Sequence, residues 1–241
     1  MERNVKKTNL SIELLSDPEM YRMIHRIDGV KFVIAAFAMH ELITSIWVGY
    51  MTLLNHHHIL CFDINNVYGF AMSQKLPHNK FEWVSSCEVS KLHDALKNGY
   101  ATAITYFETI WINDPQREYI LEVDLFYDYI LHDLHDDFPM APENIDIDVT
   151  MLSAKQHQLQ MKYYGATCSN KHKLICSFLF KKHYVIYSPL LLFYLERGLQ
   201  VGNVLRAIQF NASPILKDYI DYNAKQRRIF KVMKLKNVFT N

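Results

Sequence analysis

Cysteine is scarce in this chain of 241 residues, and its spacing carries no metal or disulfide signature: Cys61, Cys87, Cys168 and Cys176 include no Cys-x-x-Cys pair. That pattern argues against a structural zinc site and against a disulfide framework. No signal peptide opens the sequence, so a reducing, intracellular and soluble setting is expected. Internal repeats and low-complexity linkers are also missing. With half of its residues hydrophobic, the chain can instead bury a substantial core, as one large domain or two small ones.

Net charge is nearly absent too, at +1, but the total conceals a segregation. Between Ile112 and Asp148 eleven acids stand against Arg117 alone, whereas from Lys171 onward thirteen Lys and Arg stand against Glu196, Asp218 and Asp221. A basic segment interleaved with Tyr and Phe suits a phosphate backbone. The plainer alternative is that the two segments face each other or water.

One apolar stretch, Phe32 to Leu54, approaches membrane-span length, yet His40 and Glu41 lie at its middle, where ionisable groups are costly in hydrocarbon. A buried helix or strand pair is expected there, with a membrane anchor as the competing reading. The following "NHHH", Asn55 to His58, cannot point three histidines one way on a regular element and reads as a polar loop.

Elsewhere the local signals are clearer. Ser16 or Asp17 caps a helix whose first turn holds Pro18 and Glu19. "HILCFDINNVYGFAM" reads as a strand up to Asp63, followed by a turn or short helix from Asn65. "ATAITYFETIWI" and "EYILEVDLFY" are strand candidates separated by an Asn113-Asp114-Pro115 turn. "LHDLHDDFPMAPEN" is a loop, in which His132, Asp133, His135 and Asp136 are expected to be solvated. "HYVIYSPLLLFYLERGL" predicts a strand and then a helix from Pro189 to near Gly198; "VLRAIQF" predicts a further strand. "SPILKDYIDYNAKQRRIFKVMKLKN" predicts a basic amphipathic helix. Adjacent strands joined by short turns indicate an α+β fold with a mainly antiparallel sheet. Cys61 is read as a buried core residue.

Four of these blocks, in order, resemble the protein-primed family B DNA polymerases of viruses, linear plasmids and self-synthesising transposons. "CFDINNVYGFAMSQKLP" is similar to the first palm motif, Asp-x-x-Ser-Leu-Tyr-Pro. "YILEVDLFYDYILHDLHDDFPMAPE" is similar to an acidic Leu-His-Asp-Leu-His block. "KKHYVIYSPLLLFYLERGLQVGNVLRAIQF" and "SPILKDYIDYNAKQRR" are similar to the palm segments that follow. The resemblance implies a palm-type antiparallel sheet with flanking helices, here incomplete. Residues 1–54 would be a remnant joining exonuclease and polymerase regions, and 55–241 a partial palm with an insertion.

The resemblance also implies a chemistry. Nucleotide addition is an in-line displacement assisted by two Mg²⁺ ions, which take hard oxygen ligands. Asp63 would be a bridging carboxylate and the Ile64 carbonyl a further metal ligand. Backbone amides at Asn65 and Asn66 would face the triphosphate, and Tyr68 would lie beneath the sugar of the incoming dNTP. Lys231 would match the family's nucleotide-binding lysine, and Lys217, Lys225, Arg227 and Arg228 would contact DNA. A terminal protein acting as primer is a partner that the family implies.

The departures from the family pattern are equally specific. No Asp-Thr-Asp occurs anywhere in the chain, and "FKVMKLKNVFTN" lacks the Asn-Ser and Gly of the lysine helix. The family's Gly-Gly turn is reduced to Gly29, and its exonuclease region is read as absent. One carboxylate cannot hold two magnesium ions in reacting geometry. The expected product is a catalytically inactive palm fragment, or a DNA-binding remnant that keeps the basic region from Lys171 to Lys236.

Overall fold

The computed structural model describes residues 16–26, 67–136, 139–146, 152–164 and 172–239. Asp63, Ile64, Asn65 and Asn66, the apolar stretch Phe32 to Leu54, the polar loop at Asn55 to His58, Gly29, Cys61 and the predicted strand before Asp63 lie outside the described residues. Among the described residues, no helix is long and apolar enough to cross a membrane.

Six strands and seven α-helices are described. The strands are β1 (Leu76–Trp83), β2 (Arg117–Phe126), β3 (Glu143–Asp146), β4 (His172–Ile175), β5 (Lys181–Tyr187) and β6 (Gln200–Ser213). The helices are α1 (Pro18–Ile24), α2 (Val67–Ser73), α3 (Ser86–Lys97), α4 (Tyr100–Asn113), α5 (Ala154–Tyr164), α6 (Ser188–Glu196) and α7 (Lys217–Phe239). The fold is α+β: β1, β6, β2 and β5 form an antiparallel sheet in that order, and β3 pairs antiparallel with β4 in a separate ribbon.

Strand β2 lies between β5 and β6 and is buried on both faces, one wholly apolar and the other carrying Ile120 between the buried carboxylates of Glu118 and Glu122. Tyr119, Leu121, Val123 and Leu125 enter a large core with Leu92 and Leu96 of α3, Ala103 and Phe107 of α4, and Leu190 to Leu195 of α6. Ile120 points to the opposite face, where Met20 and Met23 of α1, Leu76, Val185, Ile208, Phe210 and Leu216 form a second core. The sheet is thus a middle layer with helices on each side. Its two edges are blunted in the way edge strands usually are. β1 carries Pro77 and a register shift, with Lys80 at φ 55°; β5 carries a bulge opposite Asp124, with His183 at φ 55°.

Several local predictions hold. Asp17 caps α1, accepting hydrogen bonds from the amides of Glu19 at 2.8 Å and Met20 at 3.3 Å. Helix α6 starts with Pro189 in its first turn and stops at Gly198, whose φ of 97° favours a residue without a Cβ. The "EYILEVDLFY" and "VLRAIQF" strands are β2 and β6.

The strand predicted over 101–112 is helix α4 instead. Its large apolar residues recur at helical spacing, with Ala103 and Phe107 fully buried, and its threonines lie outward. Thr105 and Thr109 donate hydroxyl hydrogen bonds to the carbonyls of Ala101 and Thr105, both at 2.9 Å, which removes the usual strand advantage of a β-branched hydroxyl residue. The solvated-loop expectation also fails at His135. Its imidazole is buried and hydrogen-bonded through Nδ1 to the Tyr127 hydroxyl, and burial, helped by Arg197, holds its pKa below the ordinary histidine value.

Candidate functional site

Helix α2 is the first described element after the Asp-Ile-Asn-Asn sequence. Burial holds it, with Ala71 buried and Met72 packed into the second core. Leu216 and Ile220, at the start of α7, belong to the same core, and α2 packs directly against α7. Helices α2 and α7, which begin 150 residues apart in sequence at Val67 and Lys217, are therefore neighbours in space.

On this pair of helices, Tyr68 is 79% exposed and takes no part in the core. Lys217, Lys225, Arg227 and Arg228 are exposed along α7, with Lys217 paired to Asp221 at 3.1 Å. The backbone of Lys231 continues the same helix. Among the described side chains of α7, Ile220 is half-buried, whereas Tyr222, Ile229 and Phe230 stand in solvent beside the cations.

The oppositely charged segments partly face each other, because β2 is threaded between β5 and β6. Glu122 is nearly buried on β2, and its carboxylate meets Arg206 of β6, Arg26 at 3.2 Å and the His183 imidazole at 3.1 Å. Burial pushes Glu122 up, but these cations outweigh it and hold the carboxyl below its ordinary value. The Arg206 guanidinium also lies 5.2 Å above the Trp83 ring, whose indole N–H donates to Asp17 at 2.9 Å. Asp17 thus both caps α1 and binds Trp83, while Glu19 pairs with Arg22 and Arg206. Lys181 is buried with its ammonium 2.8 Å from Glu143 and 2.7 Å from the Ser177 hydroxyl.

Two magnesium ions require converging carboxylates. Glu118, Glu122 and Glu143 are instead engaged separately, with a serine hydroxyl, with arginine and histidine, and with lysine. Among the described residues no three His, Cys, Asp or Glu side chains converge on a point where a metal could sit. These residues do not fit a two-metal centre.

Comparison with known proteins leaves the site to be read on its own chemistry. No protein-family model, curated protein or solved structure matches this chain.

Sequence reasoning singled out neither Glu118 nor Glu122, although their spacing was a usable signal. Carboxylates four residues apart in the apolar run "EYILEVDLF" share one strand face and must be satisfied inside the fold. Glu118 accepts a hydrogen bond at 3.1 Å from Ser188, whose hydroxyl in turn accepts the Tyr119 amide at 3.2 Å. Burial pushes the Glu118 carboxyl up to about 7, only partly countered by Ser188 and Lys75. The free carboxyl titrates near 4.5, so the native state binds this proton more tightly than the unfolded chain. Stability is then fully present below about pH 4.5 and falls as pH rises to about 7, by roughly 3 kcal/mol. Urea midpoints measured at pH 5 and pH 8 should differ less in Glu118→Gln than in the parent; an unchanged difference would remove Glu118 as the source.

Proposed function

We propose that the chain is a palm-region fragment of a protein-primed family B DNA polymerase that binds DNA but does not complete nucleotidyl transfer by itself. The observation that carries this reading is the packing of α2, the helix following Asp63, against basic α7. It supports a shared surface on which Tyr68 would face an incoming nucleotide while Lys225, Arg227 and Arg228 hold phosphates. The four ordered sequence blocks and the antiparallel sheet are consistent with it. The missing Asp-Thr-Asp accounts for the lost chemistry, since Asp63 alone cannot position both ions.

The experiment pairs template-directed primer extension, with Mg²⁺ or Mn²⁺, with fluorescence anisotropy on single- and double-stranded DNA across salt. No extension is expected. DNA binding should weaken steeply with salt. On duplex, the slope of log K against log salt should become shallower by about 0.9 for each phosphate that Lys225→Ala/Arg227→Ala/Arg228→Ala leaves unneutralised. Extension that disappears in Asp63→Ala would overturn the inactive-fragment reading. Salt-independent binding, or an unchanged triple variant, would overturn the role of α7.

A further inference from the structure

Two exposed apolar surfaces lie at opposite ends of the main sheet, and they are chemically complementary. At the first, β2 runs out into a single helical turn, Tyr129–Leu131, capped by Asp128. Tyr129 and Ile130 are 83% and 82% exposed, and Leu134, Phe126 and Phe180 also face solvent. Tyr129, Ile130 and Leu134 fall within one stretch of six residues, and clustered exposed apolar groups mark interaction surfaces. Asp133 and Asp136 are exposed at its rim, with one cation, Lys182, 6.0 Å from the Phe180 ring.

This end of the sheet has a defined shape. A Cβ on Gly198 would stand 3.0 Å from Leu131, and one on Gly202 would collide with the Phe126 ring, so the two glycines seat the patch closely on the turn before β6 and on β6 itself. The Phe126 and Phe180 rings pack against each other with centroids 4.4 Å apart.

The second surface is α7. Phe126 pairs with Gln200 at the start of β6, and β6 then runs 14 residues, about 45 Å, before the chain turns into α7. Tyr222, Ile229 and Phe230 are exposed there among Lys225, Arg227 and Arg228. One surface is apolar with an acidic rim; the other is apolar with a basic rim. The two surfaces belong to different elements, the connection after β2 and helix α7 after β6.

We propose that the Tyr129–Leu134 patch docks helix α7 of a second copy of this chain, head to tail. Apolar side chains fill the centre of the contact and the opposite charges at its rim set the pairing, as in protein interfaces generally. Such a contact uses two different faces, so it extends into open chains of subunits rather than closing as a symmetric dimer. The inference does not depend on the polymerase reading, although DNA on α7 would compete with it.

Sedimentation velocity over a range of concentrations tests it with two variants. The parent chain should grow in mass with concentration and revert toward monomer in about 0.5 M salt, where exposed charges are screened. Tyr129→Ser/Ile130→Ser/Leu134→Ser removes one face and Lys225→Glu/Arg227→Glu/Arg228→Glu the other, so each should be monomeric alone. Each still carries one intact face, and an equimolar mixture should form a one-to-one complex that grows no further. The altered side chains are exposed, so circular dichroism should match the parent. A parent that stays monomeric would overturn the proposal and leave the patch to some other basic polypeptide; a mixture that fails to combine would overturn it as well. The patch variant retains α7, so its DNA affinity separates this proposal from the function proposed above.

Discussion

Glu143→Ala should destabilise the protein by about 3 kcal/mol, and more than Lys181→Met, although Lys181 is the more buried partner. The Lys181 side chain is 1% exposed and has two close partners, Glu143 at 2.8 Å and the Ser177 hydroxyl at 2.7 Å. Removing Glu143 leaves an ammonium in a buried site with one neutral acceptor. Removing the lysine instead leaves a carboxylate that is 21% exposed and can turn toward water. The methionine fills the same space without a charge to solvate, so its cost should stay below about 1–2 kcal/mol. The double variant should lie close to Lys181→Met, giving a coupling of about 3 kcal/mol. Urea denaturation with unchanged m-values measures all three; Glu143→Ala costing no more than Lys181→Met would show that the pair is solvated.

That ion pair also fixes the β3–β4 ribbon to the main sheet, since Glu143 begins β3 and Lys181 begins β5. Tyr184 supports the same junction with a hydroxyl hydrogen bond to the Pro142 carbonyl at 3.2 Å. The ribbon should therefore loosen first in Glu143→Ala.

Phe107→Ala should cost about 3–5 kcal/mol, a large part of the stability of a domain of this kind. Phe107 is fully buried, with its ring 5.7 Å from Trp111, 5.9 Å from Tyr119 and 5.9 Å from Tyr106. Truncation removes aromatic packing from both α4 and the sheet and opens a cavity that neither can close. The same helix supplies the control. Thr109 and Ile112 face solvent, so Thr109→Lys and Ile112→Ala should each stay within about 0.5 kcal/mol of the parent. A strand over 101–112 would place Thr109 on the same face as Phe107, and Thr109→Lys would then be severely destabilising.

That contrast marks where local reading of a sequence loses its grip. The segment 101–112 mixes threonine, isoleucine, tyrosine and phenylalanine, which favour strands in isolation, yet what decides its state is the distribution of large apolar groups around a helix that can pack on α3 and β2. Local punctuation was much more reliable. Asp17 and Pro18, Pro189 and Gly198 act on their own backbone within a few residues, and each does in the fold what its chemistry requires. His135 differs again: its neighbours in sequence are acidic and polar, but Tyr127 and the packed loop bring it inside.

The apolar patterning of β2 and β6, the caps and stops of α1 and α6, the α+β class and the separation of acidic from basic segments are all legible along the chain. What those charges do is a property of the assembled fold. Threading β2 between β5 and β6 sets Glu122 against Arg206 and His183, and the β3 junction sets Glu143 against Lys181, so part of the basic segment is neutralised internally while α7 keeps its cations exposed. The same assembly places α2 beside α7, a proximity that no local signal contains. The physical reason is range: capping and backbone preference act over a few residues, whereas pairing of strands, helices and charges depends on which segments the sheet order brings together.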